Sequence, residues 1–113
     1  MKAMKTGTTV NIYLNLDEYV HNHLAYELVM RTLVELGFPG ASVVRSIESF
    51  GSHHHIARAH LLSSEDDRGV IVHLIDDDNE RIHALLLWLD HNLPGHLVTL
   101  TETKFRHSDP SET

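Results

Sequence analysis

Val70-Ile71-Val72-His73-Leu74-Ile75-Asp76-Asp77-Asp78 joins a run rich in β-branched residues to three consecutive acids, and its reading decides the fold. Residues 70–75 predict a strand. Val70-Ile71-Val72 places apolar side chains on both of its faces, as in strands covered on both sides. Asp77 then offers an N-cap side chain, with Glu80 three positions later in the arrangement of a capping box. Negative charge at that point also favours a helix N-terminus. The predicted helix carries Ile82, Leu85, Leu86, Leu89 and Leu93 on one face, and Pro94-Gly95 ends it. Leu97 to Phe105 follows as a strand, with Val98 and Leu100 opposite Thr99, Thr101 and Thr103.

Upstream the same order appears once more. Thr9 to Leu14 alternates, with Val10, Ile12 and Leu14 on one side and Asn11 and Tyr13 on the other. Asp17 to His23 reads as a polar connecting loop. From Leu24 the spacing becomes helical through Ala25, Leu28, Val29, Leu33 and Leu36, until Gly37 and Pro39-Gly40 stop it. Ala41 to Phe50, with Val43, Val44 and Ile47, predicts a second strand. Residues 51–69 are irregular, with a short extended piece over 56–62. The order βαββαβ predicts an α+β, ferredoxin-like sandwich: two helices on one face of a four-stranded, mainly antiparallel sheet. Right-handed crossovers are expected to place the first and third strands in the middle, parallel to one another. Two helices cover only one face, yet Val43-Val44 and Val70-Ile71-Val72 are apolar on both. Self-association is the simplest cover for the second face.

The 113 residues fit a single domain, with a core over about 8–106 and a polar tail over 107–113. Without cysteine there are no disulfides, thiolate metal sites or thiol catalysis, which fits a reducing cytoplasm. No apolar stretch follows Lys2 and Lys5 to make a signal peptide, and the run Ala84–Leu89 is far too short to span a membrane. A soluble, cytoplasmic protein is expected. Sixteen acidic against nine basic residues give a formal net charge of −7, which disfavours nucleic acid as a partner. Eleven histidines make the real charge sensitive to pH.

Several residues invite a chemical reading. His53-His54-His55 could hold zinc, copper or nickel, with His53 and His55 on one face of an extended chain. No His-Glu-x-x-His spacing accompanies them, and a solvated loop is the ordinary reading. His21, His23, His83 and His91 fit polar surfaces, whereas His73 predicts a buried, hydrogen-bonded ring. Asp76-Asp77-Asp78 and Glu65-Asp66-Asp67 read as a cap and a turn. Ser49-Phe50-Gly51-Ser52 lacks the Gly-x-Ser-x-Gly of a nucleophile elbow, and neither a P-loop nor a dinucleotide fingerprint is present. No catalytic residue is assigned, and the chain reads as a binding module, not an enzyme. Phe50 suits either a core anchor or a ligand contact. Lys104 and Arg106, two apart and expected to point the same way, suit phosphate binding or the protection of a sheet edge.

The stretch Leu33 to Val43, ending a helix at Gly37 and opening a strand at Gly40, resembles a passage of the PII signalling proteins. Ser49-Phe50-Gly51 stands where those proteins carry Gly-Phe-Gly, and Val70 to Asp78 is similar to their third strand and its acidic entry to a helix. The Gly-Ala-x-Val-x-Arg-x-Ile-x-x-Phe-Gly run from Gly40 to Gly51 more closely resembles the PII-like DUF190 family, and the likeness extends over about 9–106. It implies a homotrimer with adenine nucleotides (AMP, ADP or ATP) as effectors in clefts between subunits, and no required cofactor. Ser42 matches a position near the adenine. Ser49, Phe50, Gly51, Ser52 and His53 match the start of the loop that approaches the nucleotide. Lys104 and Arg106 match a phosphate-contacting pair from a neighbouring subunit. The phosphate-binding glycine loop of PII proteins shrinks here to Pro94-Gly95-His96, leaving Gly95 and His96 at that place without a lysine. The glutamate that faces this lysine is replaced by Val72. Both partners are lost together, which favours a nucleotide with fewer phosphates than ATP, or another small anion. Relatives are associated with membrane transport, so a transporter is the partner this likeness implies. The alternative is a metal-handling trimer similar to the divalent-cation tolerance proteins, with His53 and His55 as ligands.

Overall fold

In the computed structural model, residues 3–45, 48–50, 56–58 and 69–108 are described, of which 48–50 and 56–58 by backbone alone. In chain order the elements are β1 (Lys5–Asn15), β2 (Tyr19–Val20), β3 (His23–Leu24), α1 (Ala25–Leu36), β4 (Ser42–Arg45), β5 (Glu48–Phe50), β6 (Ile56–Arg58), β7 (Gly69–Asp76), α2 (Asn79–Asn92) and β8 (Val98–Phe105). The main sheet has the order β4-β7-β1-β8, with every neighbouring pair antiparallel. The first and third long strands, β1 and β7, are central as expected but run antiparallel. Each helix joins strands two places apart in the sheet, so the strands it connects are parallel and the one between them runs the other way.

The alternation read from the sequence sets the core. Val10, Ile12 and Leu14 of β1 and Val70, Val72 and Leu74 of β7 are buried on one face of the sheet. Ala25, Val29 and Leu33 of α1 and Ile82, Leu85 and Leu89 of α2 close over them, with Leu93 at the end of α2. Each of the Val, Leu and Ile side chains among them contributes about 1.5–3 kcal/mol on full burial. Gly37 ends α1 at φ 89°, donating to the Val34 carbonyl while Phe38 donates to that of Leu33. This left-handed cap favours glycine.

The second long strand is shorter than its apolar run predicts. Arg45 pairs with Val70, one residue from the start of β7, so a longer β4 would soon have no partner. Glu48–Phe50 pairs instead with Ile56–Arg58 as a separate ribbon. The loop expected over 17–23 contains a hairpin, β2 paired with β3, whose two turn residues His21 and Asn22 have φ of 52° and 65°. Both angles positive is the geometry of the tight two-residue turn that matches strand twist. The cap of α2 falls on Asp78, whose Oδ1 accepts from the Arg81 amide at 3.0 Å, and not on Asp77. Asp76 takes the amides of Asp77 and Asp78 on its own carboxylate, which moves the helix start along by one residue.

Among the described residues, no element covers the other face of the sheet. Pairing sets Ser42, His73, Asn11 and Thr99 in one row across all four strands. Beside it run Val44, Ile71 and Tyr13 on one flank, and Ile75, Thr9 and Thr101 on the other. Val44 is 50% exposed and Tyr13 36%. The apolar character expected on both faces is therefore present, and among the described residues only one face is covered. Among the described residues no helix is long and apolar enough to cross a membrane.

Candidate functional site

At the end of the sheet where β1 begins and β7 and β8 finish, a cleft of about 480 Å³ opens. The pairing of Lys5 with Phe105 brings the two ends of the chain together there. Pro39, Ile75 and Phe105 supply apolar walls, and Lys5, Arg106 and His107 supply cationic or titratable groups. The Phe105 ring lies over Gly7, where a Cβ would stand 2.6 Å from Cε1 of the ring and 2.7 Å from the Asp76 carbonyl oxygen. Glycine is thus needed in mid-strand for the ring to settle against the backbone. The rings of Phe105 and His107 meet edge-on at 5.9 Å.

The floor is a fixed charge network. Asp76, 3% exposed, receives Arg81 through Nε at 2.6 Å and Nη2 at 2.9 Å, a two-pronged contact. Burial alone would push the Asp76 carboxyl up. The guanidinium and the amides of Asp77 and Asp78 outweigh that and hold it below the usual carboxylate range. Arg81 is correspondingly held more firmly protonated, chiefly by its hydrogen bond to Asp76. The Arg81 guanidinium also lies 5.4 Å over the Phe38 ring, tying the corner after α1 to the start of α2. With Asp76 and Arg81 matched to each other, the other charged groups of the lining are Lys5, Arg106 and Asp77.

Arg106 lines this cleft, and Ser42 sits two residues beyond Gly40, another lining residue. Lys104 behaves differently: its Nζ reaches Thr6 Oγ1 at 3.3 Å, on the side of the sheet that faces the helices. β8 ends at Phe105, so the strand alternation that would align Lys104 with Arg106 does not extend to Arg106. Ser49 and Phe50 lie in β5, opposite Ala57 and Ile56. Gly51, Ser52, His53 and His55 fall outside the described residues. Gly95, at φ 84°, and His96 lie before β8, at the opposite end of the sheet from the cleft. The intervening eight-residue strand spans about 25 Å. There His96 Nε2 meets Glu18 Oε2 at 2.5 Å and its Nδ1 lies 3.1 Å from the Leu93 carbonyl. His73 is half-buried and bonded to Asn11, as expected of a satisfied ring. Among the described residues, no three metal-ligating side chains converge. Lys5, Ile75, Phe105 and His107 were not legible as a group, because only the strand register unites them.

The fold is that of solved PII-like proteins. CPII from Thiomonas intermedia K12, a nitrogen regulatory PII-like protein bound to ADP, AMP and bicarbonate, superposes with a TM-score of 0.67 at 18% identity, covering 91% of each chain. Its apo form gives 0.61 at 14% identity over 91% of this chain and 95% of that one. A structure described as a PII-like signalling protein of Thermus thermophilus gives 0.62 at 13% identity over 92% of this chain and 91% of that one. No curated protein matches the chain in sequence. The model of DUF190 (Uncharacterized ACR, COG1993) matches residues 7–105, so this chain belongs to the DUF190 family.

Proposed function

We propose that the chain is a non-enzymatic PII-like regulator that binds an adenine nucleotide as a homotrimer and passes the signal to a partner protein. The observation that carries this reading is the cleft at the sheet end. In a chain of formal net charge −7, this cleft of about 480 Å³ combines Lys5 and Arg106 with the apolar Pro39, Ile75 and Phe105, the mix of groups that a base carrying phosphate calls for. The nucleotides bound by the structurally similar CPII support the ligand class. Gly95 and His96 stand too far from Arg106 to share a ligand within one chain, so a site that uses both would draw them from different subunits. The short Pro94-Gly95-His96 turn favours AMP or ADP over ATP. A transporter in the membrane is the partner suggested by the family likeness, with the regulator on the cytoplasmic side.

A thermal-shift titration tests this, because a ligand that prefers the native state raises the melting temperature with its concentration. AMP or ADP is expected to stabilise the protein saturably, and Lys5→Ala with Arg106→Ala to abolish the shift while leaving the unliganded melting temperature close to wild type. A response to zinc or copper alone, removed by changing His53 and His55, would replace this reading with the metal-handling one.

A further inference from the structure

When the charges at the start of α2 are paired off, the carboxylate of Asp77 is left over. Asp76 is taken up by Arg81 through two contacts, of 2.6 and 2.9 Å. Asp78 caps the helix by accepting from the Arg81 amide, and its other oxygen lies 3.6 Å from Arg81 Nη1. Asp77 gives only its amide to this network, donating to Asp76 Oδ1 at 2.8 Å. Asp77 is exposed, and among the described residues its carboxylate is neither hydrogen-bonded nor ion-paired. Capping and the anchoring of Arg81 therefore account for Asp76 and Asp78, but not for the charge of Asp77.

Asp77 lines the cleft together with Lys5 and Arg106. Three separate stretches of chain meet there. Asp77 follows β7, whose Asp76 pairs with Thr8 of β1. Lys5 lies three residues back along β1, opposite Phe105, and Arg106 follows Phe105 at the end of β8. Once Asp76 and Arg81 offset each other, the lining holds two cations and one anion, a surplus of a single positive charge. Such a surplus suits an anion, but one of low charge. A terminal phosphate carries close to two negative charges above about pH 6, and each further phosphate adds about one more. Groups around a cleft of about 480 Å³ lie within roughly 10 Å of its contents, a distance over which salt at about 0.1 M screens incompletely. Each added phosphate is thus drawn by Lys5 and Arg106 and opposed by Asp77.

We propose that Asp77 is the specificity-determining residue of the cleft: its charge offsets one of the two cations, holds down the gain from each added phosphate, and tilts the site toward a nucleoside monophosphate. This rests on the reading of the cleft as a nucleotide site. The position of Asp77 in the lining carries the effect, and the net charge of the chain does not.

Calorimetry of the full chain with AMP and with ADP, at about pH 8 and without divalent metal, reads the effect as a ratio of affinities. Asp77→Asn keeps the shape and removes the charge. It is expected to raise both affinities, that for ADP by about threefold or more beyond that for AMP, with Asp77→Ser as a second neutral variant. Glu80→Gln removes an acid from the first turn of α2, outside the lining, and changes the net charge by the same amount. It is expected to leave the ratio as in wild type. An unchanged ratio in both Asp77 variants, or an equal change in Glu80→Gln, would overturn the proposal while nucleotide binding itself stands. A fall in both affinities in the Asp77 variants would overturn it too, by making the carboxylate a hydrogen-bonding contact to the ligand. Wild type that binds neither nucleotide, or full binding by Lys5→Ala with Arg106→Ala, would overturn the reading of the cleft and the role of Asp77 with it.

Discussion

Asp76 shows how one side chain can hold several parts of the fold together. Its carboxylate closes the end of β7, takes the two amides before α2 and anchors Arg81, which in turn covers Phe38. Its pKa in the folded chain lies below the ordinary carboxylate value. The stability it contributes is therefore complete above about pH 4, the unfolded value, and is lost as pH falls through the lower folded value. Asp76→Asn keeps the shape, removes the charge and turns a donor toward Arg81 on one side. Chemical denaturation at neutral pH should show a loss of about 1–3 kcal/mol. Near pH 3 the gap should narrow, because the carboxyl of the unfolded chain is then largely protonated and wild-type folding must give up that proton. An undiminished gap at that pH would mean that shape, not charge, carries the effect.

The elements differ in how plainly they are written in the sequence. The long strands and both helices were legible because burial on one face imposes a period of 2 or 3.6, and Gly37 and Pro94 mark the helix ends. The β2–β3 hairpin was not, since a ladder of two residues is too short to show a period. Its signal is local: His21 and Asn22 both adopt positive φ, a conformation that asparagine tolerates better than most residues. Asn22→Gly should keep or slightly raise stability, whereas Asn22→Val should cost about 1–2 kcal/mol in thermal or chemical denaturation. The cap of α2 shifted by one residue for a reason outside the capping pattern, the prior claim of Asp76 on the amides of Asp77 and Asp78. The candidate site was half legible. Arg106 stands out as a cation near a strand end, but Lys5 joins it only through a register linking residues 100 positions apart.

At the scale of the whole molecule, charge is divided between two surfaces with opposite demands. The cleft gathers Lys5 and Arg106 in an acidic chain, and an anion bound there gains from a field that salt screens. The three rows around His73 on the other sheet face carry no Asp, Glu, Lys or Arg, so copies of the chain meeting there would gain from apolar contact and be opposed by their shared net charge of −7. Salt therefore acts on the two events in opposite directions. At about pH 8, raising sodium chloride from about 20 to about 200 mM shortens the screening length from roughly 20 Å to roughly 7 Å. Self-association measured by sedimentation should strengthen over that range, while the affinity for ADP measured by calorimetry should fall. Parallel weakening of both would mean that copies are held by ion pairs at the rim of the sheet. That result would move the contact away from the uncharged rows around His73 and toward the charged ends of the strands.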